Sequence, residues 1–324
     1  MNQESADPRW VSAEDFRQVV GPERARQLVE EALLSGFDPS VDPPRIAMPA
    51  GDRGEWLLMP TTIGEWTGIK VATVSPDNPA RGLPRIQAIY QLLDSATLTP
   101  RYLIDGSTLT SLRTPAVSAV AVARLAPEPV RIVDLFGTGP QAWHHLEALA
   151  AVRDVGSVRV HSRTPATAAE FARRCLEHGF AAGVAAPHDE PSEPADILIC
   201  ATTSRTPILA SEQVRDGACV VAVGSHHPDA RELPGDLMGR ALVVVEDVGT
   251  ALREAGDVIL AVEEGMLQAA DLEPLADLVA GRVQRRDDAP NVFKSVGMSW
   301  EDLAVARGIA EASILPDYRQ SGRC

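Results

Sequence analysis

The 324-residue sequence predicts an α/β protein in which a helix-covered parallel sheet is combined with an α+β region. Three observations lead there. From Val130 onward, wholly apolar runs of strand length alternate with helical patterns, as strands buried on both faces do. Before that point, short strand-like runs are punctuated by Gly, Pro, Asp and Asn, which marks antiparallel strands joined by turns. The length exceeds what one core ordinarily serves and favours about two domains.

Composition narrows the functional classes. Apolar residues make up 45% and aromatic residues 4%, as in an ordinary globular chain. The formal net charge is -15, from 30 Lys and Arg against 45 Asp and Glu, which argues against a sequence-independent grip on nucleic acid or anionic lipid. The start, MNQESADPRW, lacks a basic stretch followed by an apolar run, and no segment approaches the roughly 18 apolar residues of a membrane span. A cytoplasmic protein is expected. Cys175, Cys200, Cys219 and Cys324 show no metal-ligand spacing, and Cys200 and Cys219 fall in strand-like runs, so reduced core thiols are expected.

In chain order, residues 13–37 read as one helix with Gly36 as its C-cap. Strands follow at 56–60, 67–74, 86–93 and 101–104. A helical stretch then runs to Leu125, with Pro115 expected to break it and Thr114 to cap the restart, which would place Arg113 beside a helix N-terminus. Residues 126–129, Ala-Pro-Glu-Pro, form the best linker. Apolar strands are expected at 130–136, 158–161, 197–201, 219–223 and 242–245, with no internal repeat.

The run VRIVDLFGTGPQAWHHLEALAAV carries the chemistry. Gly137 and Gly139 follow an apolar strand, Ala142 takes the third position of G-x-G-x-x-A, and a helix begins beyond them. This order is the Rossmann dinucleotide fingerprint: glycines permit close backbone approach, and the helix N-terminus offers N–H groups to a pyrophosphate. Gly137, Thr138, Gly139, Pro140 and Gln141 are therefore expected at the cofactor. The next strand ends in His161, Ser162, Arg163 and Thr164 without the acidic residue that receives an NAD ribose. NADP(H) is favoured and NAD(H) remains possible. The competing reading makes Arg163 a solvated residue that stacks on adenine without discriminating. The hydroxyl-rich loop Thr202, Thr203, Ser204 after the 197–201 strand is expected to line the same cleft, with ordinary turn chemistry as its alternative.

Seven separated motifs, PPRIAMP at 43–49, LLMP at 57–60, GIKVATVSPDNP at 68–79, DGSTLTSLRTPAVSA at 105–119, FGTGPQA at 136–142, AVGSHHPDAREL at 222–233 and FKSVGMSWEDLAVA at 293–306, occur in an order that resembles the ornithine cyclodeaminase/mu-crystallin family over nearly the whole chain. The resemblance implies a discontinuous α+β substrate-binding and dimerisation domain, residues 1–127 plus 290–324, around an inserted Rossmann-type domain, residues 128–289, in a homodimer. It implies Arg45 and Arg113 as binders of a substrate carboxylate, Lys70 as an active-site lysine, and Val223 and Ser295 among the cofactor contacts. Guanidinium forks suit carboxylates, and a lysine in a dry cleft is a compact proton donor. The family includes amino-acid cyclodeaminases, alanine and arginine dehydrogenases, and ketimine or pyrroline-carboxylate reductases.

One departure bears on the reaction. Where cyclodeaminases carry a catalytic aspartate in a Gly-Asp step, this chain reads Val223-Gly224-Ser225-His226-His227. A histidine offers different acid-base chemistry, so His226 is a second proton-relay candidate beside Lys70. The expectation is an NAD(P)H-dependent reductase of a small 2-imino acid, or the reverse amino-acid dehydrogenase. A cyclodeaminase-type lyase and a non-catalytic NADPH-dependent binder like mu-crystallin are the alternatives. Adjacent His144 and His145 face different sides of a helix, and no catalytic metal is expected.

Overall fold

Alternating burial, clearest in the third and fourth strands, builds a first sheet from β1 (Arg9–Val11), β2 (Ile46–Pro49), β3 (Glu55–Ile63), β4 (Trp66–Val74), β5 (Ile86–Asp94) and β6 (Pro100–Asp105). In this computed structural model, which describes residues 7–185 and 193–314, the sheet order is β1-β6-β5-β4-β3-β2. Every pairing is antiparallel except that of β1 with β6. The four expected strands are β3 to β6; β1 and β2, with three and four residues, are too short to read from periodicity.

Register places Met59, Lys70, Tyr90, Ile104 and Val11 opposite one another on successive strands, and all five are buried. A helix at Ser299–Ile314 covers β3, β4 and β5 and also meets α1 (Ala13–Val19) and α2 (Pro22–Leu34). The expected single helix over 13–37 is thus two helices. Pro22 lacks the N–H needed to continue α1 and instead opens α2, with Gly21 as N-cap. Phe37 N–H bonds to the Ala32 carbonyl and Gly36 N–H to that of Leu33, a Schellman stop that the φ of +89° at Gly36 permits.

The helix α3 (Gly106–Leu125) corrects another expectation. Its N-terminus is capped by Asp105, whose carboxylate accepts the Thr108 N–H at 2.7 Å, and it runs through Pro115 without a break. Proline costs a helix interior about 3 kcal/mol. Residues 112–120 are all buried, and the packing of both halves outweighs that cost. Thr114 therefore caps no restart, and Arg113 lies in mid-helix rather than beside a helix N-terminus.

The chain divides into two units, Met1–Thr114 with Met298–Cys324, and Pro115–Gly297. The second carries β7 (Val130–Phe136), α4 (Pro140–Ala150), β8 (Val155–His161), α5 (Pro165–Glu177), β9 (Ala181–Val184), β10 (Ile197–Cys200), β11 (Cys219–Ala222), α6 (Gly235–Arg240), β12 (Leu242–Val245), α7 (Val248–Glu254), α8 (Gly256–Glu263), β13 (Leu272–Pro274), α9 (Leu275–Val279) and β14 (Asn291–Lys294). All pairings are parallel, in the order β13-β12-β14-β11-β10-β7-β8-β9. The five expected strands are β7, β8, β10, β11 and β12.

β14 was not expected as a strand, and it sits centrally between β11 and β12. The parallel-sheet unit, Pro115–Gly297, includes this strand.

From β7 the chain winds outward through β8 and β9, then returns to start β10 on the other side of β7. In open α/β sheets such a reversal opens a ligand crevice at the carboxyl ends of the two strands. Among the described residues no helix is long and apolar enough to cross a membrane. Cys175, Cys200 and Cys219 are free and buried, and burial pushes the Cys219 thiol up to about 12, which makes it inert. Cys324 and residues 1–6 lie outside the described residues.

Candidate active site

Parallel register aligns the strand ends of the second unit in one row: His161, Phe136, Cys200, Ala222 and Lys294 are successive partners across β8, β7, β10, β11 and β14. Ser162, Gly137, Ala201, Val223 and Ser295 come immediately after that row. The expected cofactor residues are thereby gathered along the carboxyl edge of the sheet.

The glycine turn shows two different requirements. Gly137 has φ +110°, its N–H donates to the His161 carbonyl at 3.0 Å, and a Cβ there would lie 2.4 Å from the Ala201 carbonyl oxygen. Only glycine lets β7 and β10 end so close together. Gly139, the N-cap of α4, has an ordinary φ of -85°, and a Cβ there would meet nothing within 4 Å. It leaves open space before a helix N-terminus, where Pro140 occupies the first turn. Ala142 is buried beneath. These features fit a dinucleotide pyrophosphate.

At the end of β8, Arg159 and His161 reach Asp134 on β7, whose carboxylate accepts from Arg159 at 2.7 Å on each oxygen and from His161 Nε2 at 2.9 Å. Burial raises the Asp134 carboxyl, but His161 and Arg159 outweigh it and hold the group below its usual range. The His161 ring stacks on Phe136 with centroids 4.2 Å apart. Ser162, Arg163 and Thr164 beyond it are exposed, with Ser162 Oγ accepting the Thr164 N–H at 3.3 Å.

The loops after β10 and β11 are held by one carboxylate. Glu232, fully buried, accepts the Thr202 N–H and hydroxyl on Oε1, both at 2.7 Å, and the Gly224 N–H on Oε2 at 2.7 Å. Burial raises its carboxyl, opposed by the Lys294 charge and by these donors. Lys294 donates to the Ser225 carbonyl at 2.6 Å and pairs with Asp257 at 3.0 Å. Thr203 is exposed, Ser204 and Val223 are half-buried, and Ser295 is buried with its hydroxyl donated to Glu246 at 2.5 Å. His226 is half-buried, its ring 4.3 Å from that of His227. His145 is buried between Ser118 and the Gln141 carbonyl, and burial pushes it down to about 4, so it is neutral. His144 pairs instead with Glu147 at 2.8 Å.

In the first unit, Lys70 on β4 donates to Asp302 Oδ2 at 2.6 Å, and Arg113 gives its Nε to Asp302 Oδ1 at 3.1 Å and its Nη1 to Glu301 at 2.6 Å. Lys70 and Arg113 are 3% and 6% exposed, so these are dry ion pairs. Burial pushes the Lys70 ammonium down to about 8; the Arg113 and Arg45 charges add to the depression, while Asp302 opposes it. Arg45, half-buried just before β2, thus joins the other two cations in one electrostatic group.

Tyr90, opposite Lys70 on β5, reaches its hydroxyl over Gly68, where a Cβ would lie 2.0 Å away. Asp42 accepts the Trp300 N–H at 3.0 Å, and burial lifts its carboxyl to about 6. Sequence reasoning named the three cations but missed Asp302, Glu301, Asp42, Tyr90 and Glu232. The available signals were the Glu301-Asp302 pair in the motif FKSVGMSWEDLAVA and the DAREL stretch.

A parallel sheet that reverses at a glycine turn, in a chain whose other unit buries a lysine and an arginine against two acids, defines a dinucleotide-binding α/β protein with an ionic site. The chain belongs to the ornithine cyclodeaminase/mu-crystallin family, which it matches over residues 17–314. It is 35% identical to a Delta(1)-pyrroline-2-carboxylate reductase of Bacillus cereus, over 94% of this chain and 96% of that one. Among solved structures, it resembles the Thermococcus litoralis Delta(1)-pyrroline-2-carboxylate reductase in complex with NADH and L-proline, with TM-score 0.88, 30% identity, and coverage of 94% and 97%. It also resembles an archaeal alanine dehydrogenase dimer with bound NAD, with TM-score 0.87, 28% identity, and coverage of 95% and 96%.

Proposed function

We propose that this protein is a cytoplasmic, homodimeric NAD(P)H-dependent oxidoreductase that reduces the C=N bond of a small cyclic 2-imino acid to the amino acid and can run the reverse oxidation. The observation that carries this reading is the buried ionic group of Lys70, Arg113, Asp302 and Glu301, in a chain similar throughout its length to imino-acid reductases.

Gly137 to Gln141 and the N-terminus of α4 hold the pyrophosphate. A reduced nicotinamide held there would supply the hydride for the imine carbon. Arg113 and Arg45 hold the substrate carboxylate, and Asp302 and Glu301 fix the Arg113 fork so that little freedom is lost on binding. Lys70, held by Asp302, keeps a proton at Nζ for the nitrogen that becomes the amine. His226 is a second place for that proton.

Ser162, Arg163 and Thr164 replace the ribose-binding acid of NAD sites, so NADPH binds more tightly than NADH. The test is a panel of cyclic and acyclic 2-imino acids with NADPH and with NADH. Oxidation of the reduced cofactor with at least one cyclic imino carboxylate is expected, with no ammonia formed from ornithine. Stoichiometric ammonia release from ornithine without net cofactor change would overturn the reading in favour of cyclodeamination.

A further inference from the structure

We infer that Glu232 is a positioning residue for the nicotinamide half of the cofactor, acting by clamping together the loops that follow β10 and β11. The inference rests on the dinucleotide reading above. A sheet that reverses between β7 and β10 offers one mononucleotide-binding half on each side of the reversal. The glycine turn and the 162–164 loop belong to the β7-β8 side, which leaves the β10-β11 side for the nicotinamide half.

On that side the backbone is held by a buried scaffold. Glu232 uses Oε1 for both donors of Thr202 and Oε2 for Gly224 N–H, so one carboxylate fixes one residue of each loop. The loops touch closely, since a Cβ on Gly224 would lie 2.1 Å from the Thr202 carbonyl oxygen. Glu232 is itself anchored, because Asp257 Oδ1 accepts its N–H at 2.7 Å and that of Leu233 at 2.9 Å. Lys294 completes the frame by binding Asp257 and the Ser225 carbonyl, so 224 and 225 are gripped by successive members of one fully buried network.

A carboxylate is the group this clamp requires. Three N–H or O–H donors converge on its two oxygens, and every donor is satisfied only if both oxygens accept. Glutamine has nearly the same shape but presents an NH2 at one of the two positions. Whichever way its amide turns, a donor faces a donor, and either Thr202 or Gly224 is released.

The experiment measures binding of NADPH, by the fluorescence of its reduced nicotinamide, and binding of the adenosine fragment 2′,5′-ADP, in the unmodified protein and in Glu232→Gln. The clamp predicts that NADPH weakens about tenfold or more while the fragment stays within about twofold, since the fragment uses only the glycine-turn side. Equal weakening of both, or of neither, would overturn it. Failure of the unmodified protein to bind NADPH, NADH and the fragment alike would instead refute the dinucleotide reading. Should Glu232→Gln fail to fold, Thr202→Val removes the hydroxyl bond to Oε1 together with the bond that hydroxyl accepts from Ser204 N–H at 3.1 Å, and is expected to weaken NADPH several-fold without affecting the fragment. Unchanged NADPH binding in that variant overturns the clamp.

Discussion

Replacing Asp302 with Asn tests whether Lys70 is the proton-bearing group, because it removes a charge at known distance while preserving shape. Lys70 Nζ lies 2.6 Å from Asp302 Oδ2, with Arg113 on the other oxygen. Two unit charges about 4 Å apart are worth about 4 kcal/mol at an effective dielectric of about 20, or about three pH units at about 1.4 kcal/mol each. Relaxation and water entry reduce this, so a downward displacement of about one to three pH units is expected. In the unmodified protein Lys70 already sits at about 8, below the 10.5 of a free lysine, and Asp302 opposes that depression. Imine reduction that needs protonated Lys70 should therefore fall as pH rises through about 8 in the unmodified protein, and through a midpoint about one to three pH units lower in Asp302→Asn. The assay is the initial rate of reduced-cofactor oxidation against pH, at subsaturating imino acid. Coinciding alkaline limbs in the two proteins would refute the reasoning, since the titrating group would then be the substrate imine or another residue.

The two glycines of the turn should separate under a methyl probe. Gly137→Ala puts a side chain at φ +110° and 2.4 Å from the Ala201 carbonyl, so a stability loss of about 1–3 kcal/mol is expected in thermal denaturation. Gly139→Ala fills open space and should leave the melting temperature unchanged while lowering dinucleotide affinity about tenfold; unchanged affinity would remove the α4 N-terminus from the cofactor site. Arg113→Lys keeps the charge that Glu301 and Asp302 need but loses the planar fork. It should raise KM for a 2-imino carboxylate about tenfold and leave an analogue lacking the carboxylate unaffected, an equal effect on both being the contrary result.

What could be read from the sequence was what is encoded locally. β7, β8, β10, β11 and β12 are apolar runs, and the glycine turn follows the first of them directly, so strand, turn and helix confirm one another within about 20 residues. β14 escaped because four residues ending in Lys294 do not look like a central strand; that lysine is admitted to the interior by Asp257 and the Ser225 carbonyl, partners that no spacing announces. The break expected at Pro115 failed for the converse reason: a local rule worth about 3 kcal/mol met nine consecutive buried residues, 112–120, whose packing the local rule does not count.

The ionic site divides along the same line. Lys70 and Arg113 could be named from motifs, but their partners on the Ser299–Ile314 helix lie 188 to 232 residues away in sequence. Glu301 and Asp302 read locally as acids in a helix first turn, where the backbone dipole is reason enough for them. Burial supplies the stronger reason. A lysine and an arginine this dry are costly unless paired, and pairing both through the two oxygens of Asp302 offsets part of that cost while fixing the distance between them. The arrangement that makes the cations tolerable in the core is therefore the one that makes them rigid. A rigid pair of cations can meet a carboxylate and a developing amine without reorganising, which is what hydride transfer to an imino acid asks of its surroundings.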